Sequence, residues 1–315
     1  MDHPGLIDLQ VNGFLGIDFS GPDLTEPNAQ NALREILRAG TAAFLATLIT
    51  GPEDMYRRNL PLLARLTRSP EFRGRLLGLH IEGPFISPQD GPRGAHPAQF
   101  TRPADLDFLK KILDWSEDTV RLLTLAADLP GSERLTRYAV DHGVAVSLGH
   151  HLADEDDLRR HVDAGATALT HLGNGLPNQL PRHHNPLWAG LAEDRLTAMI
   201  ITDGHHLPPA LIKTILRAKG PDRTIVVSDA SAPAGLPSGR YHTMGAKAVL
   251  EPNGRLHNPA TGFLVGSSAA IRDCLNHLVS LDLLPPADLP RLFYHNPLRL
   301  LTLDPGQIAP AALTP

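Results

Sequence analysis

The sequence predicts an α/β chain folded as a (β/α)8 TIM-like barrel, and three observations carry that reading. Eight short β-rich apolar runs alternate with amphipathic stretches along most of the 315 residues. The runs are continuously apolar and do not alternate strictly, which is the pattern of strands covered on both faces. Polar or ionisable residues stand at the ends of six runs, and a closed barrel gathers its strand ends on one face.

The elements follow in order. The first run, 6–11, leads to a helix-like stretch at 29–38. Runs 41–48 and 76–81 flank a second stretch at 53–67. Stretches 104–115 and 132–142 lie either side of run 120–126, and run 144–148 leads to 154–164. There Asp154 stands three residues before Asp157 in an acidic first turn, a helix-start signal. Runs 167–172, 197–201 and 224–228 complete the eight, with a helical stretch at 208–218. The chain has 27 glycines and 29 prolines, many directly after the apolar runs, where strand-to-helix turns need them. Segment 236–262 breaks the alternation and reads as a β-hairpin insertion turning at Asn253-Gly254. A last helix is expected from near Ser267. The tail from Leu283 reads as one or two short helices and then a Pro- and Ala-rich end that frays. The expected organisation is a single barrel domain, 1–315, with the 236–262 hairpin inside it.

Composition narrows the function. Apolar residues make up 42% and charged residues 20%, a folded profile. A net charge of -5 offers no footprint for nucleic acid. No apolar run reaches the ~18 residues of a membrane span. The N-terminus lacks a basic stretch followed by an apolar one, so no signal peptide is expected. Cys274 is the single cysteine, which excludes an intrachain disulfide and fits a cytoplasmic location.

Gln10 and Asn12 end the first run, Glu82 the third, His150 the fifth, His171 the sixth, Asp203 the seventh and Asp229 the eighth. A charged or imidazole group at a buried strand end is costly unless it is paired or bound to metal. Glu82, His150 and His171 supply two imidazoles and a carboxylate, a three-ligand set with an open position. That is the usual arrangement for catalytic zinc, and it suits other divalent ions such as iron or manganese. A bound ion of this kind polarises a carbonyl and activates water, and a free carboxylate beside it can move the proton; Asp229 is the candidate. His80, two residues before Glu82, reads equally as support for the ligands or as a barrel-interior residue. His161, His242, His257, His277 and His295 read as solvated or structural, and Cys274 as core.

Further motifs stand in a fixed order: Pro4 to Gly13, His80 to Pro84, Gly94-Ala95-His96, Gly149-His150, Thr170-His171, Asp203-Gly204-His205-His206, Ser228 to Gly235, and Gly266-Ser267-Ser268. In this ordered set the sequence resembles the N-acetylglucosamine-6-phosphate deacetylases of the amidohydrolase superfamily. The resemblance implies a barrel of the metal-dependent hydrolase type. Glu82, His150 and His171 match its metal ligands, Asp229 its catalytic acid/base, and His96 a residue acting near the scissile amide. Asn174, Gly175, Arg182 and His206 match positions that hold the sugar phosphate. Leu264, Val265 and Gly266 match a loop touching the acetyl end. Ala95 and His205, inside matched motifs, join the expected substrate-binding set. Where many amidohydrolases carry His-x-His and two metals, this chain has Gln10-Val11-Asn12, like the single-metal branch. One divalent ion is therefore expected, with zinc foremost.

The implied reaction converts N-acetylglucosamine 6-phosphate to glucosamine 6-phosphate and acetate. The implied partners are a small-molecule amino sugar and, by the family's habit, a second copy of the chain in a homodimer. The sequence also departs from the family. The usual small β-sandwich is expected to be missing, or reduced to segment 236–262. The loop between Glu82 and His96 is about two residues longer than usual, and the segment after His171 has lost its typical bulky residues. His151, His183, His184 and His205 look like additions. Two other readings stay open. One is a metal-dependent hydrolase of an unphosphorylated N-acyl sugar or a cyclic amide, and the other is a catalytically silent sugar-phosphate-binding barrel.

Overall fold

The computed structural model describes residues 5–309. Eight parallel strands run in sequential order round one sheet. They are β1 (Ile7–Val11), β2 (Ala43–Ile49), β3 (Leu76–Glu82), β4 (Val120–Leu125), β5 (Ala145–Leu148), β6 (Ala168–Leu169), β7 (Thr197–Ile201) and β8 (Thr224–Val227). The sheet comes round on itself where Val11 bridges Ala230 in parallel and the Asn12 N–H donates to the Ala230 carbonyl at 2.7 Å. This is the predicted barrel.

Seven helices follow the first seven strands on the outside: α1 (Glu26–Arg38), α2 (Glu53–Arg68), α3 (Leu106–Trp115), α4 (Ser132–Asp141), α5 (Glu155–Asp163), α6 (Pro186–Ala192) and α7 (Pro209–Lys219). Several begin on side-chain caps. Thr25 accepts from the Asn28 N–H, Asp105 from Phe108, and Asp154 and Asp157 form a reciprocal capping box. The α6 helix, with Asn185 as its cap, had no signal long enough for the sequence reading to find. It spans only 7 residues.

Two apolar layers result. Outside the strands, Phe44, Leu48, Tyr56, Phe85, Phe108 and their neighbours fill the strand–helix interface, with Phe108 edge-on to Tyr56, Phe85 and Trp115. Inside, Ile7, Leu9, Leu45, Leu122, Met199 and Ile225 form a dry floor. The helix α9 (Asn296–Leu300, with α8 being Ile271–Ser280) and the turn before it close that floor from below through Tyr294 and Leu298. Above the floor the interior turns polar. His80 sits there, 2.8 Å from Thr124 Oγ1 and 3.3 Å from Thr47 Oγ1, and Thr124 continues to Thr170 at 2.7 Å. His80 is thus a barrel-interior residue, and burial holds it neutral with a pKa lowered to about 4.

Three elements differ from expectation. The sixth strand keeps only Ala168–Leu169 of 167–172, because His171 takes a left-handed φ of 31° and ends the extended run. The last helix starts at Ile271, not near Ser267. Ser267 is held extended against the eighth strand end: its N–H donates to the Asp229 carbonyl at 2.8 Å and its carbonyl accepts from the Ser231 N–H at 2.9 Å. Segment 236–262 carries three strands, β9 (Gly239–Thr243), β10 (Ala246–Leu250) and β11 (Leu256–His257), paired antiparallel in that order. Its hairpin turn is Met244-Gly245, while Asn253-Gly254 joins the second pair. The Pro- and Ala-rich end expected to fray lies at 310–315, outside the described residues.

Candidate active site

The strand ends place Glu82, His150 and His171 together. One donor atom from each lies within 4.8 Å of the others, and all three residues are buried. His150 Nε2 is 3.1 Å and His171 Nε2 2.9 Å from the same Glu82 Oε1, and the two Nε2 atoms are 3.0 Å apart. His150 Nδ1 donates to the Pro92 carbonyl at 2.8 Å, which leaves its Nε2 with a lone pair pointing inward. Two imidazole nitrogens facing each other this closely, beside a carboxylate, make a donor set suited to a cation. Tetrahedral zinc with ligands at ~2.0–2.1 Å has ligand–ligand edges of about 3.3 Å, so the trio fits such an ion with slight expansion. Burial pushes the Glu82 carboxyl up, but the His150 and His171 imidazoles beside it outweigh this and hold it well below the ordinary range.

Asp229 faces this trio across one amide. Gln10 Nε2 lies 3.0 Å from Glu82 Oε1 and 3.0 Å from Asp229 Oδ1, and Asn12 Nδ2 donates to that same Oδ1 at 2.7 Å. The sequence motif read as a marker of metal count therefore also clamps the free carboxylate. Burial, reinforced by the Glu82 charge, raises Asp229 to about 7. That is a value suited to taking and returning a proton near neutrality. His150 (φ 56°), His171 (φ 31°) and Asp229 (φ 53°) all occupy left-handed backbone. His and Asp tolerate this region better than most side chains, at a cost of order 1–3 kcal/mol each.

His96 completes the wall. Its Nδ1 is 2.9 Å from Thr50 Oγ1 and accepts from the Thr50 N–H at 3.4 Å, so its proton rests on Nε2, 3.9 Å from Glu82 Oε2. Burial, then the neighbouring His150, pushes its pKa down to about 3, so the ring is a neutral donor.

These groups line a cavity of about 280 Å³. Ala95, Asn174, Gly175, His206, Leu264 and Gly266 line it as well. His206 Nδ1 sits 2.8 Å from Asp203 Oδ2; burial works against its charge, but Asp203 outweighs this and raises its pKa. The cavity thus includes an imidazole whose charged form Asp203 favours. Gly175 is left-handed (φ 62°), and a Cβ there would meet His150 Nδ1 at 3.1 Å, so the position serves the ligand's packing too.

Three expected substrate residues sit elsewhere. Arg182 is exposed and off the cavity wall, with its carbonyl accepting from Trp188 Nε1 at 3.0 Å. His205 turns away to the Asn253 carbonyl at 3.1 Å. Val265 is buried behind the wall with Ile49 and Met244. Pro92 and Thr50, which fix the two histidines, had no sequence signal, because Pro92 acts through its backbone carbonyl and Thr50 arrives from another strand end.

A (β/α)8 barrel with a Glu-His-His cage and an adjacent carboxylate at its C-terminal mouth defines a metal-dependent hydrolase of the amidohydrolase type. No family profile matches the chain. An N-acetylglucosamine-6-phosphate deacetylase from Bos taurus is 38% identical over 288 residues, 88% of this chain and 68% of that protein. An N-acetylgalactosamine-6-phosphate deacetylase from Escherichia coli O157:H7 is 30% identical over 96% of this chain and 78% of its own length. Among solved structures, an N-acetyl-D-glucosamine-6-phosphate deacetylase mutant from Mycobacterium smegmatis, in complex with N-acetyl-D-glucosamine-6-phosphate, has a TM-score of 0.87 at 29% identity, covering 96% of this chain and 78% of that one. The Pasteurella multocida N-acetylglucosamine-6-phosphate deacetylase gives 0.84 at 28% identity, over 96% and 77% of the two chains. The chain belongs to the N-acetylglucosamine-6-phosphate deacetylase family.

Proposed function

We propose that this chain hydrolyses the acetamide of an N-acetylated amino sugar 6-phosphate, N-acetylglucosamine 6-phosphate foremost, releasing acetate and the free amine. The carrying observation is Asp229, held by Gln10 and Asn12 beside the Glu82–His150–His171 cage in one cavity. Those three ligands would hold one divalent ion, zinc foremost, with iron or manganese fitting the same donors. When bound, the ion supplies charge that polarises the acyl carbonyl and acidifies water. Asp229 removes the proton as water adds to the acyl carbon. Neutral His96 offers its Nε2–H to the developing oxyanion. Asp229 then returns the proton to the nitrogen as the C–N bond breaks, so acetate and amine leave and the carboxylate is restored.

His206, its charged form favoured by Asp203, suits a phosphate in the cavity. The exposure of Arg182 and of Trp188 beside it supports a homodimer in which Arg182 serves a second protomer's site. On this reading the barrel and its three-stranded insertion act as one catalytic unit. The decisive experiment assays metal-loaded protein on the 6-phosphates of N-acetylglucosamine and N-acetylgalactosamine and on the unphosphorylated sugars. Turnover restricted to unphosphorylated or cyclic amides would overturn the substrate assignment. Tight binding without any turnover would overturn the enzymatic one.

A further inference from the structure

A hairpin outside the barrel delivers one buried side chain to the active-site wall. Met244 and Gly245 form the two-residue turn between β9 and β10, with left-handed φ values of 52° and 73°. Positive φ at both positions is the signature of a type I′ turn, which favours Asn or Gly at the first position, not Met. Met244 is held there all the same. Its N–H donates to the half-buried Asp18 Oδ2 at 3.2 Å, and the residue is only 6% exposed. The side chain packs with Ile49 and Val265, and Ala95 joins the cluster from the active-site loop. Ile49 and Ala95 directly precede Thr50 and His96, so this apolar cluster adjoins the histidine that faces the scissile group.

Met244 also lines a second, larger cavity of about 580 Å³. Among the described residues, Met244 is the one residue lining both that cavity and the active-site cavity. Ile17, Ile49, Met55 and Phe100 line the larger space, together with the charged Asp54 and Arg58. Met244 thus stands where the two spaces adjoin.

We propose that Met244 sets the length limit for the N-acyl group, and that the cavity behind it receives a longer straight acyl chain once the methionine is removed. The inference rests on the deacetylase reading above and adds its acyl-chain specificity. The chemistry is unchanged: water adds to the acyl carbon, the C–N bond breaks, and a longer carboxylate leaves in place of acetate.

The test compares N-acetyl- and N-butyrylglucosamine 6-phosphate as substrates of the metal-loaded enzyme. Met244→Gly is the first variant, since glycine suits the left-handed turn and offsets lost packing with relieved backbone strain. Met244→Ala is the second. Both are expected to raise the butyryl/acetyl ratio of kcat/KM by about 15-fold, the value of burying two further methylenes. Adding Ile17→Phe, which fills part of the larger cavity, should return the ratio toward wild type. An unmoved ratio in both variants, with N-acetyl turnover retained, overturns the proposal. So does a gain that survives Ile17→Phe, because the chain would then lie elsewhere. Wild-type enzyme without N-acetyl turnover would instead overturn the deacetylase reading on which the proposal stands, and the two failures are distinguished by that measurement alone.

Discussion

Replacing Asp229 by Asn separates the proton-transfer role from every structural role of this side chain. Asn keeps an oxygen to accept from Gln10 Nε2 at 3.0 Å and Asn12 Nδ2 at 2.7 Å, so the clamp on the strand end survives. Glu82 retains its own hydrogen bond from Gln10, so the cage geometry and metal content should not change. What disappears is the group that accepts and returns the proton, worth 10²- to 10⁴-fold, or about 3–5 kcal/mol of barrel-mouth catalysis. The expected result is kcat lowered by about 10³, KM within a few-fold of wild type, and one metal per chain by elemental analysis. A stability effect should accompany it. Burial lifts Asp229 from 3.8 to about 7, so in metal-free protein its ionisation opposes folding above that range. Below pH ~4 the carboxyl is protonated in both folded and unfolded chains, and variant and wild type should then differ little. As pH rises the wild type loses stability relative to the variant, by a few kcal/mol above pH ~7. Turnover above a tenth of wild type with metal bound would refute the assigned role.

Other expectations follow from the same geometry. His171→Ala should fold but drop metal occupancy below about a tenth, read by elemental analysis, and chelation should lower the wild-type Tm while leaving the variant's unchanged. Asp203→Asn removes the charge that raises His206; KM for a 6-phosphate should climb about tenfold or more while the unphosphorylated sugar is little affected. Asp8 is buried in the first strand with its pKa raised from 3.8 to about 6 by desolvation, a difference of about 2.2 units or ~3 kcal/mol. The penalty is absent below pH ~4 and complete above pH ~6. Asp8→Asn should therefore gain urea stability progressively across that window, and a gain independent of pH would contradict this account.

The parts of this molecule that were legible in its sequence are those governed by period and position. Continuous apolar runs such as 41–48 and 197–201 mark strands because burial on both faces leaves no alternation. Glu82, His150 and His171 stood out because ionisable groups at buried strand ends need a compensating partner, and the fold brings their donor atoms together. What the sequence left illegible has equally physical causes. Arg182 and His205 were expected at the substrate by resemblance, but a linear match does not say which way a loop side chain turns, and here neither lines the cavity. Met244 lies in a segment read as a simple hairpin around Asn253-Gly254. The strong turn signal of that dipeptide masked the weaker Met244-Gly245 turn, which the half-buried Asp18 and the apolar wall stabilise from outside the segment. The contacts that fix His150 and His96 come from a carbonyl and from a residue far away in sequence, neither of which periodicity can register.

The left-handed backbone at His150, His171 and Asp229 has a consequence for how this chain would age under relaxed selection. Glycine or asparagine would sit more comfortably at all three positions, so mutational drift toward a sturdier protein and drift toward a dead one run in the same direction there. A duplicated copy freed from its task should shed these side chains early and melt higher for it. A relative that still carries His, His and Asp at these three uncomfortable places is one that is still being asked to work.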